Sequence, residues 1–369
     1  MAEVAPPFSP DWISPPGDTI LDLIEEKNWT QMELARRMGY SPKHVNRLVK
    51  GKVALTEDTA ILLERVLGAG AQFWLAREAR YRERIARRKE ATAHAGWVPW
   101  LDELPVRELM KTAGGITTRR IDAKSKPSIV GDCLRFFGVA SPSEWRDRYG
   151  EIEASFRRRT ARPANVGAIA AWLRLGERQA ETLGPLKYHR GRFETALYAI
   201  REFTTLEPDE FQPRLEALLE EAGVGLVLTA AVPGAGVSGA ARWLGKSRPL
   251  IQLSLYGRTN DKFWFTFFHE AAHLLLHAAD RNVVWLDDVN GTGGRGAKED
   301  EADAWAANLL IPSVWSARLS GIRSKALVRE FARETGVHPA IVVGRLQHDG
   351  IVPFTHMNEF KVSYSLEQS

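Results

Sequence analysis

Apolar positions between residues 18 and 68 recur every three or four residues in four short blocks, the spacing of small amphipathic helices. Thr19–Lys27 carries Ile20, Leu23 and Ile24 on one face. A second block opens at Thr30, whose partner Glu33 completes a capping box, and presents Leu34, Ala35 and Met38. Gly39 ends it, since glycine takes the positive φ of a helix stop. Ser41-Pro42 opens a third, serine as N-cap and proline in the first turn, with Val45, Leu48 and Val49 facing inward. Thr56–Leu67 makes a fourth, with Ile61, Leu62 and Val66 as its apolar positions. Residues 100–220 keep a helical period, as in Ile169–Leu183 and Phe193–Thr204. The pattern then changes. Val224–Thr229 (VGLVLT) and Pro249–Leu255 (PLIQLSL) are short apolar runs bounded by Gly and Pro, which predicts strands. Gly234–Gly239 predicts a flexible loop, and Lys262 to Ala278 a long helix. The fold class that follows is mainly α with a small β-sheet (α+β).

Gly96-Trp97-Val98-Pro99 interrupts a long basic helix and marks a boundary. The expected organisation is a disordered N-terminus (1–17), a helical bundle (18–92), a helical middle (97–220), a chemistry-bearing domain (221–319), a C-terminal helix pair (320–360) and a tail (361–369). For 369 residues, at about 100–200 per domain, two or three folded domains are expected. A single cysteine, Cys133, excludes a disulfide framework and any zinc site built on several thiolates. It stands in an apolar run and reads as a core residue. Any metal must then be held by His and carboxylates. Met1–Pro16 is proline-rich and lacks a basic region followed by an apolar run, and no stretch reaches the ~18 apolar residues of a membrane span. With one cysteine, this leads to an expectation of cytoplasmic location and no membrane partner.

The net charge of +4 is too small to name a partner, so its distribution matters more. Between Ser41 and Lys52 the charged residues are Lys43, Arg47, Lys50 and Lys52, with His44 and Asn46 beside them and no acid. A helix apolar on one side and basic and amide-bearing on the other suits the major groove. Lys43, His44 and Arg47 are placed to meet base edges and Gln31 and Lys50 to clamp phosphate, with Asn46 as a further DNA-binding candidate. The bland alternative is a solvated face on a structural bundle. Arg77–Glu90, with seven Lys/Arg and three Glu, reads as an exposed linking helix, or alternatively as a phosphate-contacting extension. Residues 18–80, especially TQMELARRMGYSPKHVNRLVKGK and FWL at 73–75, resemble the XRE/HigA class of helix-turn-helix antitoxins and repressors. That resemblance implies double-stranded operator DNA as partner, a homodimer on two half-sites, and a possible toxin partner.

The long helix after Asn260-Asp261 contains HEAAH: His269, Glu270 and His273. Two imidazoles four residues apart share one helix face and can bind a single Zn²⁺, with Glu270 able to take a proton from water there. A third ligand is needed, and the acidic helix that follows offers Glu299, with Glu301 as the rival. Asp303, four residues past Glu299, is placed to hydrogen-bond the far nitrogen of a ligating His. His277 reads as structural or as a support to the ligands. Asp287–Lys298, rich in Gly and Asp, reads as a mobile loop.

RTNDKFWFTFFHEAAHLLLH, EDEADAWAANLLIP and GVHPAIVVGRLQHDG resemble the ImmA/IrrE family of zinc metallopeptidases, over residues 200–350. Asn is commoner in that family where this chain has Asp303. The resemblance implies a gluzincin-like fold and endoproteolysis of a protein substrate, often an XRE-type repressor, with bound peptide pairing to a sheet edge near Ala240–Leu244. Self-cleavage near residues 85–100 is a further possibility, and a non-enzymatic antitoxin-like repressor with a sensory peptidase-like domain is the alternative. Ala35, Gly39, Pro42, Val45 and Val49 also map at a constant offset of 297 onto Ala332, Gly336, Pro339, Val342 and Leu346. The second helix of this later pair, 338–348, is apolar, so packing rather than DNA contact is expected, with Arg345 or His348 as candidates to reach the site.

Overall fold

The computed structural model describes residues 14–159, 165–184, 186–254, 259–279, 281, 283–288 and 296–364. The first thirteen residues of the expected disordered N-terminus, Leu255 of the expected strand, positions 289–295 of the Gly/Asp-rich loop and the tail from 365 lie outside them. The chain divides into two compact units, Met1–Trp97 and Val98–Ser369.

In the first unit, α1 (Pro16–Glu26), α2 (Gln31–Met38), α3 (Pro42–Val49), α4 (Glu57–Leu67) and the long α5 (Ala71–Gly96) enclose a small core. Ile20, Leu34, Val45, Leu63 and Trp74 lie at its centre. The α2–α3 turn is set locally. Gly39 sits at φ 70°, and the Ser41 hydroxyl accepts from the His44 N–H to start α3. Gly17 allows α1 to approach α3: a Cβ there would sit 1.8 Å from the Val49 carbonyl oxygen. Two expectations are corrected. Thr30 does accept from the Glu33 N–H, but the Glu33 carboxylate completes no capping box, because it pairs with Arg36 at 2.6 Å and Arg37 at 2.7 Å. In α4 the buried stripe is Ala60, Leu63 and Leu67, while Ile61 is 48% exposed. Leu62 and Val66 of the expected face pack partly buried against the same core, so of the three expected positions Ile61 is the one left exposed. Arg77 of α5 donates to the Thr19 hydroxyl and Arg82 to the Val53 carbonyl, so part of the basic helix holds the bundle together.

The second unit begins with helices α6 (Val106–Lys111), α7 (Lys126–Phe137), α8 (Pro142–Arg159), α9 (Val166–Ala180), α10 (Arg190–Glu202) and α11 (Pro208–Ala222). Three strands follow, β1 (Gly225–Thr229), β2 (Val237–Leu244) and β3 (Arg248–Ser254), then α12 (Asn260–Leu276), β4 (Trp285–Asp288), α13 (Ala297–Leu310), α14 (Ser316–Leu319), α15 (Lys325–Thr335) and α16 (Pro339–His348). The strands form one sheet in the order β1-β3-β2-β4, with β1 parallel to β3 and the other pairs antiparallel.

Strand order corrects one expectation in part. Ala240 and Ala241 are not at an edge, because they pair with Gln252 and Ile251 on one side and Leu286 and Trp285 on the other. β4 forms from residues read partly as loop and covers that edge at Ala240 and Ala241, whereas among the described residues Arg242, Trp243 and Leu244 of the expected edge pair with β3 alone. The segment read as a flexible loop, 234–239, is strand from Val237 onward.

α12 is buried on nearly every side, as expected of a helix apolar all round. Phe263, Trp264, Phe267 and Phe268 join residues of α11, α13, the sheet and α16 in one core. The α15–α16 turn repeats the α2–α3 geometry, with Gly336 at φ 69°, but α16 buries Ile341, Val342, Val343 and Leu346 in this core. Arg345 and His348 do not reach the metal-ligand candidates; both engage Asp349, at 2.7 and 3.3 Å. No described helix is long and apolar enough to cross a membrane.

Candidate functional site

His269 and His273 project from one face of α12, one turn apart, with their Nε2 atoms 3.1 Å from each other. Glu299, in the first turn of α13, brings Oε2 to 3.3 Å from both. α13 is fixed from behind by Arg201, which donates to the carbonyls of Leu309 and Leu310 at its C-terminal end and to that of Thr335 at the end of α15. Among the described residues this trio is a group whose donor atoms could hold a metal.

Both histidines are oriented from behind. His269 Nδ1 meets the Asp303 carboxylate at 2.9 Å. His273 Nδ1 lies 3.1 Å from Nδ1 of His277, whose Nε2 reaches Glu301 at 3.0 Å. Glu301, weighed as the rival ligand, is thus brought to His277 on the outer side, and not to the His269–His273 pair. With protons on both Nδ1 atoms, the two Nε2 lone pairs face Glu299. Trp285 of β4 stacks on His273, ring centroids 4.5 Å apart, and Phe265 on His269 at 6.3 Å.

Glu270 is fully buried and lies against Gly239 of β2, where a Cβ would come within 2.6 Å of its Oε1. Asp287 of β4 accepts from the Ser238 hydroxyl at 2.8 Å and the Thr266 hydroxyl at 3.4 Å. Burial works against a charged His269, yet Asp303 and Glu299, with Glu270 and Asp287 behind them, hold it well above the usual histidine range. His273 is pushed down to about 4, chiefly by burial and in part by His269, against the pull of Glu299.

A cation suits this set on three counts. The donors are two imidazole nitrogens and a carboxylate oxygen, the ligand types zinc accepts. Their separations of 3.1, 3.3 and 3.3 Å match the roughly 3.3–3.4 Å between ligand atoms of a tetrahedral ion with bonds of about 2.0–2.1 Å. Four carboxylates also surround two imidazoles in a buried place, an excess of negative charge that a divalent ion offsets.

In the first unit, Lys43, Arg47 and Lys50 are exposed along α3 and its C-terminal end. Among the described residues none of them, nor Lys52, is paired with a carboxylate. Asn46 donates to Gln31 at 3.4 Å, tying α3 to α2, and His44 packs edge-on against Tyr40 at 4.6 Å. Two of the six residues named from sequence, Asn46 and Gln31, are thus engaged with each other.

Sequence reasoning did not find Trp285, Gly239 or Asp287. Trp285 and Asp287 come from a four-residue strand with no periodic signal. Gly239 belongs to the Gly-rich run that predicts a loop, although a glycine inside a strand often marks close approach of another group.

Residues 20–74 match the helix-turn-helix family model, and residues 232–347 match the family model of the IrrE N-terminal-like domain. Over 60 residues the chain is 43% identical to an uncharacterized HTH-type transcriptional regulator, YddM, of Escherichia coli (strain K12). The match covers 16% of this chain and 64% of that protein, less than two thirds of its length. A helix-turn-helix DNA-binding module and a metallopeptidase-like domain are thus combined in one polypeptide, the first match spanning α1 to α4 and the second taking in α12 and α13.

Proposed function

We propose that the protein is a DNA-binding transcriptional regulator whose second unit is a zinc-dependent endopeptidase. The observation that carries this is the convergence of His269, His273 and Glu299 beside a buried Glu270. His269, His273 and Glu299 would hold the zinc, and bound zinc supplies Lewis-acid polarisation of a peptide carbonyl and a more acidic water. Glu270 acts as general base, taking the proton of the attacking water, and then as general acid to the leaving amine. Asp303 and His277 keep the Nε2 lone pairs of the two histidines directed at the centre, and Glu301 anchors His277. The substrate is a protein, an XRE-type repressor or this chain itself near residues 85–100. The first unit binds operator DNA as a homodimer in the cytoplasm, with Lys43, His44, Asn46 and Arg47 toward base edges and Gln31 and Lys50 toward phosphates.

One observation favours a second reading. His269 and His273 are at most 4% exposed and Glu270 is fully covered, which suits a domain that senses rather than cleaves. The protein would then be a HigA-like autorepressor with a toxin partner. The two readings separate in one experiment: zinc content together with cleavage of candidate repressors and of the chain itself, for wild type and Glu270→Gln. Stoichiometric zinc with cleavage lost in the variant supports the endopeptidase. No zinc in wild type, or equal cleavage by the variant, removes it.

A further inference from the structure

A cavity of about 430 Å³ lies in the second unit, away from the zinc-ligand candidates, where α8 and α9 face β2 and β3. Four guanidinium groups line it, Arg148, Arg174, Arg242 and Arg248, against two carboxylates, Glu177 and Glu181. Three of the cations converge on Glu177: Arg174 at 3.0 Å, Arg148 at 3.4 Å and Arg242 at 3.9 Å. Arg242 is 4% exposed. One of its terminal nitrogens donates to the Leu173 carbonyl at 2.7 Å and to Gln252 Oε1 at 2.9 Å, but its buried Nε has no hydrogen-bond partner among the described residues. Burial pulls its pKa below the usual arginine range, with Glu177 only partly opposing this. A buried cation so incompletely compensated is costly unless an anion completes it. Tyr149, Trp243 and Leu244 supply apolar wall beside the charges.

We propose that this cavity is a binding site for a small organic anion, a carboxylate or phosphate ester carrying an apolar group. The guanidiniums supply the planar, forked donors that carboxylate and phosphate oxygens match. The volume falls in the range of small-molecule sites, about 300–1,000 Å³. The cavity also shares two strand segments with the candidate metal centre. Val284 lines it and precedes Trp285, which stacks on His273, and Arg242 stands three residues along β2 from Gly239, which abuts Glu270.

The test is calorimetric titration of the full chain with phenyl phosphate, after chelation of metal and without DNA, so that it does not depend on the zinc reading. Phenol serves as the neutral control. Binding in the range of about 10 µM to 1 mM is expected, with phenol at least about tenfold weaker. Arg148→Gln, on an exposed side chain that leaves the core intact, is expected to weaken binding about tenfold, and Leu244→Trp, which fills the cavity, to abolish it. No heat up to about 10 mM phenyl phosphate, equal affinity for phenol, or affinity unchanged in both variants overturns the proposal.

Discussion

His273 lies almost parallel to Trp285, with ring planes 7° apart and centroids 4.5 Å apart, and His277 meets the same indole at 5.1 Å. The β4 tryptophan therefore holds in place the ring that must present Nε2 to the centre. Aromatic pairs add about 0.5–1.5 kcal/mol beyond their burial, so Trp285→Leu is expected to weaken zinc binding up to about tenfold. Competition against a chromophoric chelator measures it. Unchanged affinity in a folded variant would reduce the stack to packing.

Asp303 touches the ligand candidate His269, whereas Glu301 reaches His273 only through His277, and their variants should differ. Asp303 touches His269 directly, so Asp303→Ala is expected to cost about 10–100-fold in zinc affinity. Glu301 acts through His277 and its side chain is 59% exposed, so Glu301→Ala should change affinity only a few-fold. The reverse order would show that Glu301 does more than Asp303 to hold the ion, and would overturn the supporting role given to Asp303.

These two contacts also mark how much of the site was legible in the chain. HEAAH is local: a spacing of four on a helix places both histidines on one face whatever the fold. Glu299 and Asp303 were legible because they repeat that spacing on a second helix, although only the packing of α13 on α12 separates Glu299 from Glu301. Trp285 and Gly239 reach the site through β2–β4 pairing over more than forty residues, and no local pattern encodes that register. The first unit shows the same division. Thr30, Gly39 and Ser41 set their helix ends through neighbouring atoms and could be read directly. How deeply each apolar position of α4 is covered depends on α1, α2 and α5, and Ile61 is left exposed.

Gly239 gives a sharper test of the catalytic reading than a ligand variant does. An added Cβ would lie 2.6 Å from Glu270 Oε1 and 2.7 Å from Thr266 Cγ2. Gly239→Ala should therefore displace Glu270 while leaving His269, His273 and Glu299 in place. The expected outcome is near-wild-type zinc content, stability lowered by about 1–3 kcal/mol, and cleavage reduced at least about 100-fold. Retained cleavage would mean that Glu270 is not the base.

On DNA, Arg47 and Lys50 should separate by role. Arg47→Ala is expected to cost about 1–3 kcal/mol on the operator and to relax specificity. Lys50→Ala should weaken binding on all sequences alike and reduce the salt slope by about 1. Gel shifts on operator and scrambled duplexes over a salt series distinguish these. Equal loss on both duplexes for Arg47→Ala would return it to the phosphate class.

Glu177 ties the stability of the second unit to pH. Burial alone would raise its pKa, but Arg242 first, then Arg174 and Arg148, bring it below the usual carboxylate value. A carboxylate whose folded pKa is depressed contributes stability that is fully present above the unfolded value, about 4.3, and is lost as pH falls through the folded value. Glu177→Gln removes that contribution and leaves Arg242 buried without its nearest countercharge, so at neutral pH a loss of about 3–5 kcal/mol is expected. Below the folded value the wild-type carboxyl is itself protonated, and the two proteins should converge. Thermal melts of both from pH 7 down to about pH 3 measure the gap. A gap that stays constant across that window would show that Glu177 acts through its shape and hydrogen bonds rather than its charge.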